Sequence, residues 1–267
     1  MTARAAGLTP SLHRPADIVG WRDAGGGPWH LAIDTGMSRA GVRWDEVAPL
    51  VDAVRRCEPE GAYTHFHSAE RNDASRQTQE TRFREALALL PETPPVVHAE
   101  NSPAIERSAG SPWTVARPGV FLYGVGSDAG IEPEPVAHLR ARIVDVRDVR
   151  DGETVSYGAG YRAVGDRRVA TAALGYADGY RRSLSNVGSA LIGGRRVPVA
   201  GAVTMDMTML DVTDVDCEVG DVATFLGCDG DAQLALRDVA RTGDLSPYEL
   251  LAGLRLRVPH LYRDEAP

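Results

Sequence analysis

Two patterns of hydrophobic and polar positions divide the chain. In the first, short apolar runs alternate with stretches whose apolar residues recur every three or four positions, which indicates strands alternating with helices. The predicted strands span 8–13, 29–34, 62–67, 95–100 and 120–126, and the predicted helices span 44–56 and 77–90. Because each strand is short, mostly apolar and ends on a polar residue, we expect a parallel sheet within a β/α barrel.

The second pattern begins after the proline-containing stretch 132–135. Short alternating runs are separated by Asp-Gly, Gly-Asp and Gly-Gly turns, which is typical of an antiparallel β domain, either a sandwich or a small barrel. A last helix is predicted over 246–254. We therefore predict an α/β domain over 1–132, followed by an all-β domain over 133–267.

The first domain is too short for a closed barrel. A (β/α)8 TIM-like barrel takes about 250 residues, and only about five of its eight strands are found here. Such a partial barrel would leave a sheet edge without a partner. We expect a chain that is truncated at its N-terminus.

Composition excludes several classes of protein. Hydrophobic residues make up 43% and charged residues 25%, as in soluble globular proteins, and no apolar run reaches the roughly 20 residues of a membrane helix. A net charge of −8 argues against a nucleic-acid partner. The three cysteines lack metal-ligand spacing, which favours reduced thiols and a cytoplasmic location.

All 29 basic residues of the Lys and Arg total are arginines. At most surface positions the two residue types solvate equally well. At a catalytic site the difference matters, because a lysine amine forms a Schiff base with a carbonyl group and a guanidinium does not.

Polar residues at the predicted strand ends are the first candidates for chemistry. Arg39, His65, His67 and His98 lie in the last part of predicted strands or just after them, and Arg117 lies just before the strand predicted over 120–126. Barrel active sites collect at the ends of strands, mostly the carboxyl ends. The His65-x-His67 spacing suits a metal ion if a third ligand is present, which leaves a metal hydrolase as one hypothesis. The alternative is a histidine pair that lines the barrel or lies at the surface.

Eight segments in order resemble those of alanine racemases. They extend from about residue 7 to the end of the chain and lie in both predicted domains. The segments are HLAIDTGMSRAGV, GAYTHF, VVHAENS, ARPGVFLYG, VSYGAGY, LGYADGY, VTMDM and YELL with RVP. The resemblance implies a fold-type-III, pyridoxal 5′-phosphate-dependent homodimer that interconverts L- and D-alanine and so supplies D-alanine for peptidoglycan.

The resemblance also implies a cofactor site. Ser102 and the backbone at Gly119 and Val120 would hold the cofactor phosphate, with help from the Tyr248 hydroxyl. Loops after the last barrel strands are the usual phosphate site of this fold. Arg117 would face the pyridine nitrogen and leave it unprotonated, which weakens the ring as an electron sink and favours simple proton exchange.

The implied proton-transfer residues are Tyr157, His65 and Arg117. Tyr157 would come from the partner subunit and remove the α-proton of L-alanine. Because a free phenol loses its proton only near pH 10, a tyrosine base needs positive charge nearby. The pair of His65 and Arg117 is the candidate source.

The implied substrate site uses four side chains. Arg39 and the partner's Met205 would bind the carboxylate of the amino acid. Tyr176 and Tyr248 would narrow the entrance so that only a methyl side chain fits.

The chain departs from the family pattern at three places. The family's Schiff-base lysine lies in a segment resembling K-A-N-A-Y-G-H-G, which would precede Met1, and the chain has no substitute lysine. Ala32 stands where relatives often carry a carbamylated lysine that steadies the arginine here numbered Arg39. Ala202 replaces a basic residue of the entrance. A lysine-free relative that binds the cofactor or amino acids without catalysis is therefore the alternative to an active racemase.

Overall fold

The computed structural model describes residues 2–108, 110–127, 130–131, 133–255 and 257–262. The chain divides into two compact units. Unit 1 comprises Met1–Phe121 and Gly126–Ile131, and unit 2 comprises Leu122–Val125 and Glu132–Pro267.

Unit 1 is built on a parallel sheet with helices between its strands. The strands are β1 (Ser11–Leu12), β2 (His30–Asp34), β3 (Val42–Arg43), β4 (Gly61–Tyr63) and β5 (Val96–His98). The helices are α1 (Thr2–Ala5), α2 (Pro15–Asp23), α3 (Val51–Arg56), α4 (Ser75–Ala88) and α5 (Ser102–Glu106). The strand order is β1-β2-β4-β5, with β3 paired to β2, and every pairing is parallel.

The register brings the carboxyl ends of the central strands together. Ala32 in β2 pairs with Tyr63 in β4, and Tyr63 pairs with His98 in β5. Residues that follow these positions therefore meet at one edge of the sheet, as expected for a partial β/α barrel.

Two predicted elements of unit 1 were wrong in part. The strand predicted over 120–126 is instead a 3-10 helix, Val120–Tyr123, because the Phe121 amide turns towards the Ser102 hydroxyl. In place of a further paired strand, the chain after β5 forms an isolated parallel bridge between Asn101 and Arg117. The helix predicted over 44–56 is a 3-10 turn at Ala48–Leu50 and then α3, because Pro49 has no amide hydrogen for a continuous helix.

The core of unit 1 lies between its sheet and its helices. Trp29, Phe66 and Phe83 are its largest fully buried side chains. Phe83 and Leu87 come from α4, which confirms the helix predicted over 77–90 and its buried face.

Unit 2 is an antiparallel β structure. Its strands are β6 (Leu139–Val149), β7 (Thr154–Val155), β8 (Tyr161–Arg162), β9 (Arg167–Ala172), β10 (Ser189–Ile192), β11 (Arg195–Pro198), β12 (Thr208–Asp211), β13 (Val222–Asp229) and β14 (Ala232–Leu234). The main sheet has the order β11-β10-β13-β6-β9-β12. A bridge from Val199 to Leu210 joins the segment after β11 to β12, so the sheet closes on itself. The structure thus selects the small barrel over the sandwich.

Two helices and a separate hairpin complete unit 2. The helices are α6 (Leu236–Thr242) and α7 (Pro247–Gly253), and the hairpin is formed by β7 and β8. Ser246 caps α7 by accepting a hydrogen bond from the Tyr248 amide, so the last predicted helix is confirmed. Within the described ranges, no helix has the length and apolar character needed to cross a membrane.

Candidate functional site

Arg117 is the centre of a hydrogen-bonded cluster at the carboxyl edge of the unit 1 sheet. Its Nη2 donates to the carbonyl oxygen of Thr64 at 2.7 Å and to that of Ala99 at 3.2 Å. The same nitrogen lies 3.4 Å from Nδ1 of His65, and Nη1 contacts Nδ1 of His98. The guanidinium is therefore fixed by groups from two neighbouring strands and their loops.

Burial and the charge of Arg117 together keep the neighbouring His65 and His98 neutral. Burial, followed by the charge of Arg117, lowers the pKa of His98 to about 4. Burial, followed by the charges of Arg117 and Arg39, lowers the pKa of His65. At neutral pH the positive charge at this place therefore lies on the guanidinium of Arg117 and not on the imidazoles of His65 and His98.

The direction of hydrogen bonding around His98 follows from chemistry. A guanidinium has only donors, so Nδ1 of His98 must accept from Arg117 and Nε2 must carry the proton. Nε2 then donates to Nδ1 of His30 at 2.8 Å, which leaves the proton of His30 on its Nε2, 3.7 Å from Oε2 of Glu60. The Tyr63 ring stacks on His98 with 5.0 Å between centroids.

Ser102 lies beside this cluster, at the first turn of α5. Its buried hydroxyl oxygen accepts hydrogen bonds from the Gly119 amide at 2.7 Å and the Phe121 amide at 3.4 Å. Asn101 caps the helix by accepting from the Ala104 amide. The Gly119 and Phe121 amides are thus satisfied by the Ser102 oxygen, and the Ser102 hydroxyl hydrogen is the donor left for a phosphate group; a phosphate oxygen would meet the two amides by replacing the Ser102 oxygen as their acceptor.

Arg39 lies in the loop that connects β2 to β3. The carboxylate of Asp34 accepts hydrogen bonds from the Gly36 and Ser38 amides, which shapes the first half of the loop. The Arg39 side chain is exposed and, in the described part of the chain, makes no hydrogen bond or ion pair. Ala32, which is 2% exposed, offers it no polar anchor.

His67 does not join His65. Its Nδ1 is 2.8 Å from the hydroxyl of Ser68, whereas His65 lies against Arg117. Among the described residues, no group of three or more His, Cys, Asp or Glu side chains could hold a metal ion.

In unit 2, Tyr157 lies at the tip of the β7–β8 hairpin and is 75% exposed. A groove of about 610 Å³ lies beside it, with mostly apolar walls that include Val155, Val169, Met207 and Met209. The tyrosine side chain is therefore presented at the rim of an apolar surface.

Tyr176 and Met205 are brought together by their backbones. The Tyr176 amide donates to the carbonyl of Thr204, and the Ala177 amide donates to that of Met205, both at 2.9 Å. Gly175 permits this approach, because a Cβ there would lie 2.5 Å from the carbonyl carbon of Met205. Both side chains remain exposed.

A buried carboxylate fixes the same loop. Asp178 is 2% exposed and accepts from the Gly175 amide at 2.9 Å and from Arg257 at 2.7 Å. Gly179 approaches the backbone of Gly253, at the end of α7, so closely that a Cβ would lie 2.5 Å from the Gly253 carbonyl oxygen. The helix that carries Tyr248 therefore packs directly on the loop that carries Tyr176.

Sequence reasoning missed His30 and Asp178 as members of these networks. His30 is the first residue of an apolar strand, and Asp178 lies inside the LGYADGY segment. The available signal was a polar residue in an otherwise apolar or glycine-rich segment, which does not reveal its partner.

Family models match both halves of the chain. The alanine racemase N-terminal domain matches residues 1–127, and the alanine racemase C-terminal domain matches residues 136–262.

Individual relatives agree with these matches. The alanine racemase of Sorangium cellulosum is 35% identical over 268 residues, which cover 95% of this chain and 70% of the relative. That of Deinococcus radiodurans is 43% identical over 237 residues, which cover 86% of this chain and 66% of the relative. The chain thus spans about two thirds of the length of these relatives.

A solved structure is similar over nearly the whole chain. It is the alanine racemase from Bartonella henselae with covalently bound pyridoxal phosphate, which has a TM-score of 0.88 and 27% sequence identity. The match covers 98% of this chain and 75% of that structure.

Proposed function

The chain belongs to the alanine racemase family, and we propose that it serves the pyridoxal 5′-phosphate-dependent interconversion of L- and D-alanine. The observation that carries this proposal is the fixed guanidinium of Arg117 next to the buried Ser102 hydroxyl, on which the Gly119 and Phe121 amides converge. In this proposal residues 1–132 form the partial barrel domain and 133–267 the β domain.

The residues of unit 1 fit the cofactor without a covalent bond. The Ser102 hydroxyl and the amides of Gly119 and Val120 would hold the phosphate, with the Tyr248 hydroxyl as a further donor. Arg117 would bind the pyridine nitrogen as a donor and would not protonate it, since a guanidinium keeps its protons. When bound, the cofactor withdraws electrons from the substrate Cα and so acidifies the α-proton.

The remaining residues act on the amino acid. Arg39 and Met205 would bind its carboxylate, and the deprotonated phenolate oxygen of Tyr157 would take the α-proton of L-alanine and so become a hydroxyl. His65, which burial and the charge of Arg117 keep neutral, would orient that oxygen by donating a hydrogen bond from its Nε2. Tyr176, together with Tyr248, would limit the side chain of the substrate to a methyl group.

We propose a homodimer in which Tyr157, Met205 and Tyr176 of one copy serve the site of the other. The exposure of these three side chains and the apolar groove beside Tyr157 support a protein partner at this surface. The three cysteines are all free thiols, which supports a cytoplasmic location.

The absence of lysine favours a second candidate function. The sequence has no lysine amine that could form a Schiff base with the cofactor or act as the lysine base of the D-alanine face. A protein that binds the cofactor or an amino acid non-covalently, without racemisation, uses the same Arg117 and Ser102 contacts.

A binding and exchange experiment separates the two functions. Cofactor binding is followed by absorbance, and loss of deuterium from α-deuterated L-alanine is followed by mass spectrometry. Binding that weakens in Ser102→Ala but not in the exposed control Ser11→Ala, accompanied by deuterium loss and by D-alanine, supports the racemase. Binding without deuterium loss supports the non-catalytic candidate. If neither millimolar cofactor nor millimolar L-alanine binds, both proposals fail.

A further inference from the structure

The tip of the β7–β8 hairpin, residues 156–160, has a strained backbone. Ser156 and Ala159 have φ angles of +67° and +50°, a backbone region that residues other than glycine and asparagine rarely adopt. Gly158, between them, has a φ of +71°. Such conformations persist only where contacts with other parts of the molecule hold them, and they concentrate at functional sites. Tyr157 lies within this tip.

The end of the tip is held by Asn186. Its Nδ2 donates to the Gly160 carbonyl at 3.0 Å, and its Oδ1 accepts from the Gly201 amide at 2.6 Å. One amide side chain therefore joins the tip to the segment that leads towards Met205. Asn186 itself has a φ of +60°, which asparagine tolerates better than most residues.

The beginning of the tip is held at the same place. The Ser156 hydroxyl donates to the Ala202 carbonyl at 2.7 Å. Gly201 allows the two segments to meet, because a Cβ there would lie 2.7 Å from Cβ of Ser156. Both ends of the strained tip are therefore attached to Gly201 and Ala202.

The neighbour of Asn186 extends this attachment. The hydroxyl of Ser185 accepts from the Val203 amide at 3.0 Å, two residues before Met205. Ser185 and Asn186 thus fix the hairpin tip on one side and the start of the Met205 loop on the other.

We infer that Asn186 is a positioning residue for Tyr157. It holds the strained tip in the one conformation that sets the direction of the tyrosine side chain, and it couples that direction to the loop of Met205. The catalytic meaning of this inference rests on the proposed function, because only there does Tyr157 take a proton and Met205 bind a carboxylate. The clamp itself does not depend on catalysis.

Asn186→Gly and Asn186→Asp test the clamp. Glycine accepts the positive φ and removes both side-chain hydrogen bonds, whereas aspartate keeps the acceptor for the Gly201 amide and removes the donor to Gly160. Asn72→Gly, in an exposed loop of unit 1, is the matched control.

The first measurement is amide hydrogen exchange by mass spectrometry on the purified chain. In Asn186→Gly we expect exchange across 157–162 to rise about tenfold, with no change in β9 and an almost unchanged thermal midpoint. Asn186→Asp should give a smaller rise and Asn72→Gly none. Unchanged exchange across 157–162 would overturn the inference. So would a uniform rise throughout unit 2 with a lower midpoint, since that describes a purely structural residue.

The second measurement is deuterium loss from α-deuterated L-alanine in the presence of pyridoxal 5′-phosphate. We expect Asn186→Gly to lower the maximal rate about tenfold and to leave cofactor affinity unchanged, with partial recovery in Asn186→Asp. An equal loss of rate and cofactor affinity would contradict positioning. If the unsubstituted chain exchanges no deuterium while the first measurement succeeds, the proposed racemase function fails and the clamp stands.

Discussion

The neutral His98 makes the stability of unit 1 depend on pH. Its ring is buried, 8% exposed, and its pKa is lowered from an ordinary value near 6.5 to about 4. Between these two pH values the unfolded chain binds a proton at His98 that the folded chain does not bind. Stability therefore rises with pH through this window, is complete above pH 6.5, and is lost as the pH falls towards 4.

The magnitude follows from the shift. Each unit of pKa corresponds to about 1.4 kcal/mol, so His98 accounts for about 3 kcal/mol over the whole window and about 2 kcal/mol between pH 6.5 and 5.0. The lowered pKa of His65 acts in the same direction. The range from pH 5.0 to 6.5 is the best one in which to measure the effect of His98, because the ordinary pKa values of carboxyl groups lie below 5.

Urea unfolding followed by tryptophan fluorescence measures this effect, since all four tryptophans lie in unit 1. In His98→Gln, the amide can accept from Arg117 and donate to His30 but does not titrate. Between pH 6.5 and 5.0 the free energy of unfolding of the unsubstituted chain should fall, and about 2 kcal/mol of that fall should be missing in His98→Gln. His67→Gln, at an exposed histidine of the same unit, should keep the full change. An identical pH dependence in His98→Gln and the unsubstituted chain would refute the buried, neutral histidine.

Three further results are expected. Asp178→Ala should destabilise unit 2 by about 3 kcal/mol, because the Gly175 amide loses its buried acceptor and Arg257 loses its partner. Asp178→Asn should destabilise it less. If the two variants lower the free energy of urea unfolding equally, as followed by circular dichroism, this expectation is contradicted. Gly41→Ala should lower the free energy of unfolding by about 2 kcal/mol or more, since φ is +118° and the new Cβ would lie 2.8 Å from the Asp34 amide nitrogen. An unchanged thermal midpoint would show instead that the loop adapts to the side chain. Borohydride reduction with pyridoxal 5′-phosphate should leave no pyridoxyl group on any side chain, and a side-chain adduct in the mass spectrum would disprove this.

The fold was predictable where local pattern and final environment agree. Helix α4 was recognised because Phe83 and Leu87 lie four positions apart and share its buried face, and strand β10 because the Gly193-Gly194 turn ends a short apolar run. The segment 120–126 has the composition of a strand, but its Phe121 amide bonds to Ser102, 19 residues earlier in the chain, and the strand prediction was therefore wrong. Pro49 was a local signal that should have placed the start of the helix later.

The sequence by itself determined the two kinds of secondary structure, the order of the family segments and the complete absence of lysine. Each of these is a property of residue type and spacing, so no contact needs to be known. Only the tertiary structure decided that the β domain closes into a barrel through Val199 and Leu210, because that pairing depends on the register of distant strands.

The same holds for the electrostatics and the positioning of the site. His98 is neutral because folding buries it beside Arg117, 19 residues away, and a pKa depends on the charges and solvent around a group. Asn186 holds the tip that carries Tyr157 through partners 26 and 15 residues distant. Composition and motifs name the groups that can react, whereas burial and long-range hydrogen bonds determine their protonation and their direction.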